Sequence, residues 1–135
     1  MSDFNQRVIE EFRANGGVVG GPFAGAPLVL ITTTGAKSGE PRVSPLMCQP
    51  TEGDTVYIFG SKAGAPSNPA WVHNLRANPN LTVERGTETY AAVAHEITGP
   101  ERDEIFARQV AAVPQFGEYE QKAGRVIPVF ALERA

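Results

Sequence analysis

The chain of 135 residues has one cysteine, Cys48, so no disulfide can form within it. Its two histidines, His73 and His95, stand far apart with no cysteine or acidic companion at ligand spacing, and no metal site is expected. No apolar run approaches the roughly 20 residues of a membrane-spanning helix. The N-terminus, MSDFNQRVIEEFRANGG, lacks the basic-then-apolar order of a signal peptide, which predicts a cytoplasmic protein and makes the NLT sequon at Asn80 a chance match. Repeats, low-complexity runs and domain linkers are absent too. One domain spanning residues 1–135 is expected.

Acidic residues are missing from two stretches, between Glu11 and Glu40 and between Asp54 and Glu84. Those stretches and their edges carry Lys37, Arg42, Lys62 and Arg76. The net charge is nevertheless −3, with the acids gathered from Glu84 onward. A general nucleic-acid binder needs a broad positive field, so nucleic acid is excluded as a partner. Basic, acid-free patches on an acidic chain suit one small anion.

What is present reads as alternating strands and short helices. SDFNQRVIEEFRANGG is a helix, with Ser2 or Asp3 as cap, Val8, Ile9 and Phe12 as a narrow apolar stripe, and Gly16 and Gly17 as its stop. The narrow stripe predicts a helix lying on a surface. The Gly/Pro-rich VVGGPFAGAP connects it to PLVLITTT, PRVSPLMCQP and TVYIFGS, three strands in which Pro45 marks an edge or bulge. NPAWVHNLRANP is a short helix with Asn68 as cap and Pro69 at its first position. NLTVERG and TETYAAVAHEIT form a hairpin about Gly86. TGPERDEIFARQVAAV opens on a capping box of Thr98 and Glu101, PQFGEYEQKAG is a further helical piece, and RVIPVFALER closes the chain as a strand. Six strands in mostly antiparallel order with short helices between them predict a mainly β, α+β fold that closes into a small barrel.

The loop TTTGAKSGEPR joins the first two strands with Lys37, Ser38 and Arg42 around two glycines. Glycine lets backbone approach a ligand, and N–H groups, a hydroxyl and two cations favour phosphate or carboxylate. GAKSG is neither a Walker loop nor a dinucleotide-binding turn. Alone, it fits a solvated hairpin with two surface cations equally well. A second segment, GSKAGAPSNPAWVHNL, places Ser61 and Lys62 at the end of the third strand, followed by small residues and a helix with Trp71 and Asn74 on one side. A lone Trp usually fills a core. Two Gly/Ser/Lys loops on neighbouring strands, with an aromatic and an amide, would instead suit a flat heterocycle with a long anionic tail.

GGPFAGAPLVLITTTGAKSGEPRVSPLM, SKAGAPSNPAWVHNLRANP and VERGTETYAAVA resemble the deazaflavin-dependent nitroreductase family of actinobacteria, over nearly the whole chain. The resemblance implies a split β-barrel that binds coenzyme F420, an 8-hydroxy-5-deazaflavin, and passes hydride from its reduced form to a quinone, a nitroaromatic or another electron-poor acceptor. It implies that Lys37, Ser38 and Arg42 meet the phosphate and glutamyl carboxylates of the tail. Ser61, Lys62, Ala63 and Gly64 would lie nearer the ring, with Trp71 and Asn74 on the cofactor-contacting helix and Met47 and Cys48 on the strand behind the deazaflavin. Phe116 and Tyr119 match the segment that walls the acceptor pocket, although an i, i+3 packing pair explains them as well. A hydroxyl near the ring, Ser61 or Tyr119, would stabilise charge developing on the acceptor.

No catalytic triad or carboxylate pair is apparent, which suits hydride chemistry carried by a cofactor. The residues leave two other readings open: an FMN-dependent split-barrel reductase and a non-catalytic deazaflavin carrier. The helix over residues 1–15 is read as a lid over the acceptor. With Asp3, Glu10 and Glu11 on it, peripheral contact at the inner face of the cell membrane is the most it would make. Homodimers are common among split barrels, but no exposed apolar signature requires one.

Overall fold

A run that is apolar at consecutive positions has to be covered on both faces, and the start of Leu28–Thr34, from Leu28 to Ile31, is such a run. Val29 and Ile31 turn into a barrel, while Leu28 and Leu30 turn out under a helix. The computed structural model describes residues 3–21, 27–51, 53–61 and 64–135. Its elements run α1 (Asp3–Ala14), β1 (Leu28–Thr34), β2 (Pro41–Pro50), β3 (Val56–Phe59), α2 (Ala70–Ala77), β4 (Asn80–Arg85), β5 (Glu88–Ile97), α3 (Gly99–Ala112), α4 (Gln115–Ala123) and β6 (Val129–Arg134). The strands close in the order β1-β2-β3-β6-β5-β4, with every pairing antiparallel.

Three apolar clusters hold this together. Inside the barrel, Val29, Ile31, Ile58, Val83, Phe130 and Leu132 meet Trp71, Val72 and Leu75 of α2, which plugs one end. Outside β1 and β2, Val8, Ile9 and Phe12 of α1 pack on Leu28, Leu30 and Val43. Phe12 is 1% exposed, and a side chain so buried contributes about 1.5–3 kcal/mol. The narrow stripe thus gives a helix laid on the barrel wall, as its sequence predicts. On the far side, Phe106 of α3 and Phe116 of α4 pack edge-on against Phe59, at centroid distances of 6.1 and 5.5 Å.

The split in the barrel has a local cause. The Cys48 N–H donates to the Pro27 carbonyl at 3.0 Å, so β2 residues of opposite parity turn their N–H groups toward β3. The register Cys48↔Ile58, continued, would bring Pro45 opposite Ser61. Proline has no N–H to give there. The β2–β3 ladder ends at Cys48, and the chain leaves β3 into the loop of residues 60–69. The first half of β2 continues with β1 alone, and α2 fills the opened corner.

Two caps differ from expectation. α2 starts at Ala70 with Pro69 in the cap position, and Asn68 Oδ1 accepts instead from Arg125 Nη1 at 2.7 Å. Thr98 occupies the cap of α3 without a side-chain cap bond. Pro100 removes one of the two N–H groups such a cap would serve. Ser2, the alternative cap of α1, and residues 22–26 of the glycine connector lie outside the described residues.

Candidate functional site

The first half of β2, freed from β3, and the N-terminal part of α2 border a cleft of about 690 Å³, a size typical of small-molecule sites. Its floor is the β1–β2 loop. Gly35 N–H donates to the Glu40 carbonyl at 2.8 Å, and Gly39 N–H donates back to the Gly35 carbonyl at 2.9 Å. Glu40 N–H donates to Ser38 Oγ at 3.2 Å. A Cβ on Gly35 would stand 2.6 Å from Ser38 Oγ and 3.2 Å from the Glu40 carbonyl, so this closure needs glycine.

What the closure leaves over is chemically specific. Among the described residues, the N–H groups of Lys37 and Ser38 have no partner, and neither has the Lys37 ammonium. Arg42 has one weak neighbour, Glu40 at 3.8 Å, with both side chains largely exposed. Such an ion pair is worth little in water. Lys37, Ser38 and Arg42 share the cleft with Trp71 and Asn74, and no acidic residue lines it. Adjacent backbone N–H groups beside two cations make an anion cradle.

Trp71 serves two purposes. It is 5% exposed and meets Phe130 edge-on at 5.7 Å inside the barrel, yet it also reaches the cleft. Asn74 is 6% exposed, with both amide atoms engaged by protein. Among the lining residues that the sequence did not single out for a binding role are His73 and Arg13. His73 lies on α2 between the two residues already singled out. Arg13 forks onto Glu84 at 3.0 and 2.8 Å, and those hydrogen bonds raise its pKa above the ordinary guanidinium range. Nothing local in the sequence announces that pair across 71 positions.

The remaining candidates lie elsewhere. Ser61 is half-buried at the end of β3, and its hydroxyl has no partner among the described residues. Its carbonyl accepts from Gly64 N–H at 2.9 Å. Gly64, at φ +85°, presses against α4, where a Cβ would lie 3.3 Å from Tyr119 Cα. Ser61, Gly64 and Tyr119 therefore form a second group, and none of them lines the Lys37 cleft. Phe116 and Tyr119 pack edge-on at 5.4 Å, with Phe116 buried and Tyr119 half-buried. Met47 points between the α1 and α3–α4 clusters, and Cys48 into the barrel. Burial pushes the Cys48 thiol up to about 11, so at neutral pH it is no nucleophile. Lys62 and Ala63 lie outside the described residues. No group of three or more metal-ligating side chains occurs among the described residues.

Sequence reasoning also missed Arg125, which organises the loop beneath Ser61. Its guanidinium donates to the carbonyls of Gly60, Ser61, Ala65 and Ser67 and to Asn68 Oδ1, at 2.7–3.5 Å. Arg76 is likewise committed, to Glu96 at 3.0 and 2.8 Å.

A closed six-stranded antiparallel barrel, opened at one corner to expose a cationic cleft, defines a split-barrel protein. Residues 5–134 match the model of the F420H(2)-dependent quinone reductase family, and the chain belongs to that family. It is 32% identical over 127 residues to an F420H(2)-dependent quinone reductase of Mycobacterium tuberculosis, covering 91% of this chain and 85% of the relative. A solved F420-H2 dependent reductase, FDR-A, is 42% identical with a TM-score of 0.71, over 79% of this chain and 94% of that one. A second solved structure, described as a domain-swapped dimer, is 38% identical with a TM-score of 0.73, over 95% and 92% of the two chains. The chain is thus an F420-dependent oxidoreductase, and its cofactor is coenzyme F420. The cleft suits such a group, since a polyanionic tail needs cations and N–H donors that are not already paired.

Proposed function

We propose that the protein reduces a quinone, a nitroaromatic or a comparable electron-poor acceptor at the expense of reduced coenzyme F420. One observation carries this reading: Lys37, Ser38 and Arg42 keep their donors free in an acid-free cleft that reaches Trp71. Bound there, the reduced coenzyme would supply a hydride, and the chain's own residues would bind, orient and shield. Lys37, Arg42 and the N–H groups of Lys37 and Ser38 would grip the phosphate and carboxylates. Trp71 would abut the ring system, with Ser61, Lys62, Ala63 and Gly64 at its other margin and Met47 and Cys48 behind it. The Ser61 hydroxyl, or that of Tyr119, would donate a hydrogen bond to the acceptor oxygen as negative charge develops. Phe116 and Tyr119 would wall the acceptor pocket, and α1, whose Gln6, Ile9 and Arg13 line the cleft, would act as a lid over the acceptor.

The proposal sets the protein in the cytoplasm. No helix among the described residues is long and apolar enough to cross a membrane. Contact with the inner face of the membrane would fall to α1, whose Val8, Ile9 and Phe12 are already turned to the barrel. A homodimer is the assembly we read for it, supported by the domain-swapped relative and checked by sedimentation.

The test mixes purified protein, reduced coenzyme F420 and either menadione or a nitroaromatic, and follows coenzyme oxidation. Oxidation well above background supports the reductase. Tight binding without turnover would make it a carrier, and activity with reduced FMN in place of the deazaflavin would make it a flavin enzyme. Within the active protein, Ser61→Ala should lower kcat about tenfold, as loss of one hydrogen bond to developing charge does, and weaken coenzyme binding by less than that.

A further inference from the structure

Asn74 matches a cofactor-contacting position, yet both polar atoms of its amide already hold protein partners. The Ala36 N–H can only donate, so the atom facing it at 2.9 Å must be Asn74 Oδ1. That fixes Nδ2 toward Thr33 Oγ1, to which it donates at 3.1 Å. Thr33 is 2% exposed and belongs to the barrel, paired in register with Arg42. One buried side chain from α2 therefore grips the anion loop on both sides of Gly35: at Thr33 before it and at Ala36 after it.

The consequence lies in which N–H groups remain. Asn74 takes up the Ala36 N–H, and the loop's internal bonds take up those of Gly35, Gly39 and Glu40. Lys37 and Ser38 are left with free, adjacent donors. We infer that Asn74 is a positioning residue. It acts through Ala36 and Thr33 to hold the loop in the shape that binds the tail, and does not touch the coenzyme itself. The inference rests on the reading of the cleft as the coenzyme site. A loop held ready in this way does not lose the conformational freedom that a slack one would lose on binding.

Thr33 permits a test, because it lies away from the cleft. Binding would be measured by fluorescence for coenzyme F420 and for its tail-free deazaflavin chromophore. Thr33→Val should raise the Kd for the full coenzyme about three- to tenfold, the loss of one neutral hydrogen bond, and leave the tail-free form unchanged. Thr33→Ser, which keeps the hydroxyl, should restore wild-type affinity. The inference falls if Thr33→Val binds the full coenzyme like wild type, if both ligands weaken equally, or if Thr33→Ser is as weak as Thr33→Val. A wild-type protein that binds neither ligand would overturn the functional proposal instead. Amide hydrogen exchange in the unmutated, ligand-free protein gives an independent check. Ala36 should be protected while Lys37 and Ser38 exchange freely, and equal exchange at all three positions would overturn the brace.

Discussion

Two corners of this molecule are rich in cations and use them in opposite ways. At the loop of residues 60–68, Arg125 gives its donors to five protein oxygens, and nearby Arg102 is buried against the Ile127 carbonyl, Glu120 and the ring of Phe106. At the β1–β2 loop, Lys37 has no partner among the described residues and Arg42 only a distant one. A satisfied guanidinium stabilises the fold and has little left for a ligand. A free one contributes nothing to the fold and everything to recognition. The difference separates structural cations from functional ones where charge counts cannot.

The largest expected effect would break the structural corner. Arg125→Ala leaves several partly buried carbonyls without a donor, and urea denaturation should show a loss of about 2–4 kcal/mol. Arg102→Ala should cost a similar amount, for the same reason. A loss below about 1 kcal/mol in both would mean that water satisfies those oxygens equally well.

The complementary break lies at the cleft. Lys37→Ala and Arg42→Ala should each raise the Kd for coenzyme F420 about ten- to hundredfold, the range for a charge-assisted hydrogen bond. Thermal stability should barely move. The gap between variant and wild type should shrink in 1 M salt, where screening acts over about 3 Å. Stability lost without affinity lost would reverse the roles of the two corners.

How much of this contrast could be read from the sequence follows a physical boundary. Features set by neighbours along the chain were readable. The six strands and four helices appear where periodicity and Gly/Pro punctuation put them, and β2 occupies Pro41–Pro50, the whole segment expected. Pro45 was read as an edge or bulge, and it lies in the half of β2 that pairs with β1 alone, three residues from Cys48, where the β2–β3 ladder stops. The cationic loop and Trp71 do share one cleft. Features set by distant partners were not readable. Arg125 reaches back 57 to 65 positions, and Arg13 reaches forward 71. Arg76 counted as a free cation by local sequence, yet Glu96 takes it. Asn68 looked like a helix cap because nothing nearby reveals that a guanidinium claims its oxygen. Local chemistry shows which side chains could bind, whereas long-range pairing decides which remain available.

A smaller effect would sharpen the comparison by changing shape without changing charge. Gly35→Ala keeps Lys37 and Arg42 but drives a Cβ to 2.6 Å from Ser38 Oγ. Ser38 Oγ must swing away and give up the Glu40 N–H, and the Glu40 carbonyl at 3.2 Å must yield a little, which loosens the closure of the loop. Coenzyme affinity should fall about tenfold, comparable to losing one well-placed hydrogen bond, because the Lys37 and Ser38 N–H groups no longer converge. Unchanged affinity would mean that charge alone makes the site, with no contribution from loop shape.

The smallest effect comes from the one carboxylate in the loop. Glu40 stands 3.8 Å from Arg42, and both are well exposed, so their attraction is weak. Glu40 does not line the cleft, yet its charge lies close enough to Arg42 to weaken the pull of that guanidinium on an anion. Glu40→Gln keeps the backbone carbonyl that closes the loop onto Gly35 and removes the charge alone. It should tighten coenzyme binding about twofold at low ionic strength and leave it unchanged at high salt, as a screened surface charge does. Arg125 offers the contrast: all three of its nitrogens are already committed to protein oxygens, and neutralising an acid near it should leave affinity where it was. Weaker binding in Glu40→Gln would mean that the Arg42 pair orients the guanidinium, which would make Arg42 part of the structural set as well.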